Sequence, residues 1–266
     1  ASDVYKREVQ EYRVGIDRSG TVTAIELTGH SGMGPYMRRS GGIAGIEAYA
    51  CENVQRTLYP VHTNRMVSGN FRAPSDPQGY FGIQSMMDDI SYKIDMDPVD
   101  FALRNMRRPT EEVRYTTYAL DECIERGREL FDWERRWRPV PGSDEGPIKR
   151  GAGFSFMQFR SGVGPSSAIL RVDSSGHYTL FVGVTDVGPG AKTTMAMIAA
   201  EELGVELNQI EVVWGDTDRC PYSVGESGSR TTTMTGYAVV QAAIDLKNQI
   251  AIQGLPDGDA VLIASA

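Results

Sequence analysis

One turn spelling, Asp-x-Ser-Gly-x-x-Thr, occurs twice in this chain, at residues 17–23 and 173–179. Each copy sits between strand-like runs. Before the first, Tyr12, Val14 and Ile16 alternate with polar residues; after it, Val22, Thr23 and Ile25 lie on the return run. Before the second stand Ile169, Leu170, Arg171 and Val172, and residues 178–184 form the return. Alternation of period two interrupted by Asp/Ser/Gly predicts a β-hairpin. A hairpin used twice in one chain suggests two related lobes.

Helical periodicity fills the space between the hairpins. Phe81, Ile83, Met86 or Met87, Ile90 and Ile94 recur at three- and four-residue steps, with Asp88 and Asp89 on the other side, so an amphipathic helix is expected. A second helix should start at Asp97-Pro98, because Asp caps orphan amides and Pro suits the first helical position. A third is expected over residues 120–131, followed by Trp133, Trp137 and a Pro/Gly-rich stretch that reads as a linker. This places a first lobe at residues 1–145 and a second at 146–266. The second lobe reads as hairpin, helix over 191–203 stopped by Gly204, strand with Ile210, Val212 and Trp214 on one face, polar loop, long helix over about 232–252, and a final strand-like run at 260–263. Strands and helices mix without regular βαβ alternation, which favours the α+β class with mixed sheets.

Composition narrows the functional classes. With 27 Lys+Arg against 35 Asp+Glu, the net charge is −8, and no basic block offers a phosphate-tracking surface, so nucleic acid is not an expected partner. No apolar run reaches the roughly 20 residues of a membrane span, and the first residues lack the regions of a signal peptide, so a cytoplasmic location away from membranes is expected. Cys51, Cys123 and Cys220 are scattered and odd in number, which argues for buried reduced thiols rather than disulfides. The three histidines are isolated, and protein-ligated metal is not expected.

Chemistry concentrates in three loops. Residues 68–78 place Arg72 in a Pro/Gly-fixed loop before a helix, where a permanently charged guanidinium can stabilise developing negative charge; the plainer reading is an Arg paired to Asp76. Residues 185–190 form a glycine-rich turn into a helix carrying Thr193 and Thr194, a place where free amides can meet an anion; the plainer reading, favoured on these residues alone, is an ordinary strand-to-helix turn. Residues 215–218 and 225–233 combine Asp216, Asp218, glycines, consecutive hydroxyls and Arg230, which could cradle phosphate or a large polar cofactor; the plainer reading is a Ser/Thr-rich capping loop. Asp216 and Asp218 could hold a cation, although turn chemistry explains them equally well. No P-loop lysine pattern or nucleophile elbow is present.

In order, these segments resemble the molybdopterin-binding subunit of the xanthine dehydrogenase/aldehyde oxidase family of molybdenum hydroxylases. Phe71-Arg72-Ala73-Pro74 with Pro77-Gln78 is similar to the family's Phe-Arg-Gly/Ala segment, and Met96-Asp97-Pro98 with Arg104-Asn105 to its next helix. Residues 185–193 resemble its Asp-x-Gly-Gln-Gly-x-x-Thr loop, and the segments 199–204, 215–218 and 228–232 follow in place. The resemblance implies a molybdopterin cofactor, in its cytosine dinucleotide form, with molybdenum held by cofactor atoms. It also implies iron-sulfur and FAD centres on partner chains or domains, and transfer of water-derived oxygen to an aldehyde or aromatic N-heterocycle. By motif position Arg72 is implied as the substrate-orienting, charge-stabilising residue. Val187, Gly188, Pro189, Gly190 and Thr193 are implied beside the molybdenum and pterin, and Gly228, Ser229, Arg230, Thr231 and Thr232 as the cradle of the pterin and its phosphate.

The chain departs from the family pattern in three places. Pro189 stands where many members carry Gln, removing both a side-chain amide and a backbone donor. An upstream Phe-Gly-Gly segment and a downstream Gly-Glu-Pro general base have no counterpart, and Glu226 is not given that role. The expectation is therefore a fragment or split piece of the subunit, catalytically incomplete alone, that works with the remaining parts and with a small-molecule substrate. Two other readings are a noncatalytic assembly module that keeps the fold without the cofactor, and a generic phosphate-ligand domain.

Overall fold

The computed structural model describes residues 8–36, 43–67, 69, 72–111, 115, 117–140 and 143–266. The chain divides into two compact units, one up to Phe159 and one from Arg160 onward. That division lies later than residue 145, where the Pro/Gly stretch places it in the sequence. Among the described residues no helix is long and apolar enough to cross a membrane.

In the first unit β1 (Glu8–Ile16) and β2 (Val22–Gly34) form the expected antiparallel hairpin, and β3 (Asn53–His62) runs parallel to β2. Ile25 and Leu27 of β2 are fully buried beneath α1 (Asp76–Lys93), whose Ile83, Met87 and Ile90 form the buried stripe. Phe81, expected on that stripe, is 77% exposed. It stands two residues before Ile83, about 200° around a helix of 3.6 residues per turn, whereas 83, 87 and 90 share a face. The helix starts close to the backbone around Ala44, because a Cβ on Gly79 would lie 2.2 Å from the Ala44 carbonyl oxygen.

Asp97 caps α2 (Pro98–Asn105) as expected, accepting from the Val99 amide at 2.7 Å and the Asp100 amide at 3.3 Å. Its other oxygen accepts the Trp133 indole N–H at 2.7 Å, so one carboxylate also ties α4 (Trp133–Arg136), which follows α3 (Leu120–Phe131), to α2. Buried Asn105 accepts from the Val22 amide and donates to the Gly20 and Phe101 carbonyls, joining α2 to the hairpin with its side-chain amide satisfied on both ends.

The second unit has a four-stranded sheet in the order β6-β5-β4-β7, made of β4 (Ala168–Asp173), β5 (Tyr178–Val182), β6 (Ile210–Trp214) and β7 (Val261–Ser265). β4 is antiparallel to β5 and β7, while β5 and β6 are parallel. Leu170, Val172, Leu180 and Val182 meet Met195 and Ala199 of α5 (Ala191–Leu203) and Val239, Ala242, Ala243 and Leu246 of α6 (Gly236–Gln253). Alanines where the two helices face the sheet permit close approach without strain. Trp214, grouped with Ile210 and Val212 in sequence, is 38% exposed at the end of its strand.

The two hairpin turns are built alike. Asp17 Oδ1 accepts from the Ser19 amide, the Ser19 hydroxyl and the Thr21 amide; Asp173 Oδ1 accepts from the Ser175 amide, the Ser175 hydroxyl and the His177 amide. In each unit the hairpin's second strand then takes a parallel neighbour. The shared spelling thus corresponds to a shared bond pattern and strand arrangement.

Candidate functional site

In the second unit the register aligns Val182 with Trp214 and Ala168 with Val182. The carboxyl ends of parallel β5 and β6 therefore lie at one sheet edge, together with the entry to β4. Three segments leave or enter there: residues 183–190 leading into α5, residues 215–235 leading into α6, and residues 161–167. Loops beyond the carboxyl ends of adjacent parallel strands are where open sheets place ligands. The loops are drawn close, because a Cβ on Gly183 would lie 2.3 Å from the Pro221 carbonyl oxygen.

The first loop is organised by Asp186. Its Oδ1 accepts the Gly188 amide at 2.9 Å and the Gly190 amide at 3.1 Å, and these bonds hold the carboxyl below the usual carboxylate range. The α5 N-terminus thus already faces a carboxylate of this chain, which corrects the expectation that the loop's amides are free for an anion. Pro189 adds no donor. Val187 is 77% exposed and Thr193 lies exposed in the first turn of α5. A Cβ built on Gly188 or Gly190 would meet nothing within 4 Å, so the loop's outer surface is open to close approach.

The second loop is organised by Arg230. Its Nε donates to the Gly225 carbonyl, Nη1 to the Val163 carbonyl and Nη2 to the Val224 carbonyl, at 2.9 to 3.1 Å. The guanidinium is a clamp on three backbone oxygens, a role its position beside the hydroxyls does not disclose. Ser161 donates to the Ser229 carbonyl and is hydrogen-bonded to the Thr233 hydroxyl, and the Gly162 amide donates to the Gly228 carbonyl.

This bracing produces an unusual start to α6. Ser229 sits at φ 59°, a left-handed conformation costly for a residue with a Cβ, and Arg230 follows at φ −98°, ψ −7°. A left-handed residue followed by a right-handed one points successive amides into a common concavity, the anion-binding nest. Residues Thr231–Thr235 then form a π-helical turn, a rare geometry associated with functional sites, before α6 proper. The Met234 amide reaches the Arg230 carbonyl at 2.7 Å, whereas the amides of Ser229, Arg230, Thr231, Thr232 and Thr233 have no partner among the described residues. Ser229, Thr232 and Thr233 are exposed beside them. Five adjacent donors without acceptors match the demand of a large anionic group.

The two loops meet at Glu226, whose Oε1 accepts the Thr185 amide at 2.6 Å. The structure therefore brings residues 187–190 and 228–232 to one edge. Asp216 is turn chemistry: its Oδ1 accepts the Asp218 amide and its carbonyl accepts the Cys220 amide. No group of three or more His, Cys, Asp or Glu residues suited to a metal ion occurs among the described residues. The cysteines are free, as expected, but Cys123 is exposed and the other two are only half-buried.

Arg72 belongs to the first unit. It is exposed and has no ion pair or hydrogen bond among the described residues. The plainer reading, a pair with Asp76, is not realised. Burial raises the Asp76 carboxyl above its usual range and the Glu47 charge adds to it, where a neighbouring guanidinium would do the opposite. Ala73 and Ser75, at φ 57° and 79°, hold a left-handed path into α1. Phe71, part of the same motif, lies outside the described residues.

Comparison with known proteins places these features in a family. Two family models described as molybdopterin cofactor-binding domain match residues 5–106 and 126–254, together most of the chain. The chain is 30% identical over 259 residues to the xanthine dehydrogenase molybdenum-binding subunit of Escherichia coli O157:H7, aligning 90% of this chain with 34% of that protein. It is 29% identical over 248 residues to the aldehyde oxidoreductase molybdenum-binding subunit PaoC of Escherichia coli (strain K12), aligning 91% of this chain with 34% of that one. The chain thus spans about a third of the length of these relatives. The solved aldehyde oxidoreductase from Desulfovibrio gigas shares the fold, with a TM-score of 0.81 at 22% identity over 98% of this chain and 31% of that one.

Proposed function

Because this chain belongs to the molybdopterin-binding family of the xanthine dehydrogenase type, we propose that its second unit seats the anionic part of a molybdopterin cofactor within a larger molybdenum hydroxylase. The observation that carries this reading is the run of five amides, Ser229 to Thr233, that have no partner among the described residues at the π-helical start of α6. Backbone donors fixed before the ligand arrives need no reorganisation to receive phosphate oxygens.

The residues divide the work. Main-chain amides of Ser229, Arg230, Thr231 and Thr232, with their neighbouring hydroxyls, hold the phosphate and pterin, and Gly228 lets the chain turn beside them. Val187, Gly188, Pro189 and Gly190 form the opposite wall, where backbone without bulky side chains admits a flat ring system; Thr193 adds a hydroxyl. Arg230 contributes its amide to the seat, its guanidinium being committed to the carbonyls that shape the loop. The bound cofactor supplies the molybdenum chemistry that inserts water-derived oxygen into an aldehyde or aromatic N-heterocycle. Arg72, exposed and without an ion pair among the described residues, orients the substrate and stabilises its developing negative charge. The cytosine dinucleotide form of the cofactor, iron-sulfur and flavin partners, and the remaining parts of the subunit complete this reading; the relatives' names, each a molybdenum-binding subunit, support the presence of other subunits.

A second reading has one specific observation in its favour. The Gly188 and Gly190 amides are both engaged by Asp186 and Pro189 has none, so the first loop is poor in donors, as a noncatalytic assembly module would tolerate. Molybdenum and cytidine-pterin content, measured per mole of this chain co-purified with its neighbouring gene products, separates the two. Near-stoichiometric cofactor supports the hydroxylase reading; a folded assembly without either supports the module.

A further inference from the structure

The geometry points to Glu226 as a positioning residue that latches the glycine loop at 185–190 to the amide seat at 229–233, a role resting on the cofactor reading above. The bond is a carboxylate accepting the Thr185 amide at 2.6 Å, a charge-assisted contact between segments far apart in sequence. Glu226 is itself held in place. Arg230 bonds the carbonyls of Val224 and Gly225 immediately before it, and the Gly225 amide donates to the Ser223 hydroxyl at 3.2 Å. Its backbone therefore moves with the same clamp that sets the five free amides.

On the other side, Thr185 precedes Asp186, the residue whose carboxylate folds the glycine loop leading into α5. The chain of contacts runs from the Arg230 clamp to Glu226, to the Thr185 amide, to Asp186 and the loop. Both walls of the seat thereby keep one spacing before any ligand enters. Neither the Arg230 guanidinium nor the Glu226 carboxylate needs to touch the cofactor for this, which explains how a loop with few free donors can still be part of the seat.

The test uses Glu226→Ala and Glu226→Gln in the full chain and in the co-purified assembly. Hydrogen exchange of the chain without cofactor is the first readout. Glu226→Ala is expected to speed exchange at Thr185 and through residues 185–190 while leaving β5 and α5 protected, and Glu226→Gln, whose amide oxygen still accepts, is expected to restore protection. In the loaded assembly, Glu226→Ala should release pterin about tenfold faster than the parent, with Glu226→Gln close to the parent. Unchanged exchange at Thr185 in Glu226→Ala, a loss of protection spread across β5 and α5, or failure of Glu226→Gln to restore either readout would overturn the latch. An assembly that never contains pterin removes the cofactor reading alone, because the exchange readout needs no cofactor.

Discussion

At the scale of single residues, carboxylates used as acceptors for backbone amides shape this chain more than ion pairs do. Asp17 and Asp173 are held below the usual carboxylate range first by the hydroxyls of Ser19 and Ser175, and Asp186 by the Gly188 and Gly190 amides. A carboxyl with a lowered folded value contributes stability that is full above its unfolded value, 3.8 here, and is lost as pH falls through the folded one. Acid unfolding followed by circular dichroism should therefore steepen below that value, and the triple change of these three residues to Asn should flatten the acid limb. Asp97 carries a cap and an indole bond at once, so Asp97→Ala is expected to cost about 1–2 kcal/mol in urea unfolding. Ser229→Val, which puts a β-branched side chain at φ 59°, should cost about 1–2 kcal/mol and distort the seat; stability and amide chemical shifts at 229–233 read both effects.

Elements were legible where their signals are local. Helices α3 and α5 have the bounds read from periodicity, the Asp97-Pro98 start is a working cap, and both hairpins form, because caps, turns and apolar spacing act within a few residues of chain. What escaped was non-local. Phe81 shares spacing with its neighbours but faces away from the core that Ile83 and Met87 enter. Arg230 and Asp186 carry the charges expected of their loops, yet each is directed onto this chain's own backbone by partners the spacing cannot name. The π-helical turn has no sequence signature at all. Packing of α5 and α6 on the sheet relies on alanines fully buried at 199, 242 and 243, so Ala242→Leu is expected to destabilise by about 1–3 kcal/mol through overpacking, measured by thermal or urea unfolding.

For the whole molecule, the family motifs were legible because several occur in fixed order, and the comparisons place the chain in that family over most of its length. How the motifs work was not legible, since the seat depends on which amides are left without partners after folding. If Arg72 orients substrate, Arg72→Ala in the assembled protein should lower turnover of aldehyde or N-heterocycle by about 10- to 100-fold without changing molybdenum content; full turnover would remove that role. The central claim is that the amides of Ser229 to Thr233 receive the anionic part of the cofactor. Its most direct test is residue-resolved hydrogen exchange of the assembled protein with and without bound pterin. Protection gained at those five amides on loading is the predicted result, and equal exchange in the loaded and unloaded protein would contradict it.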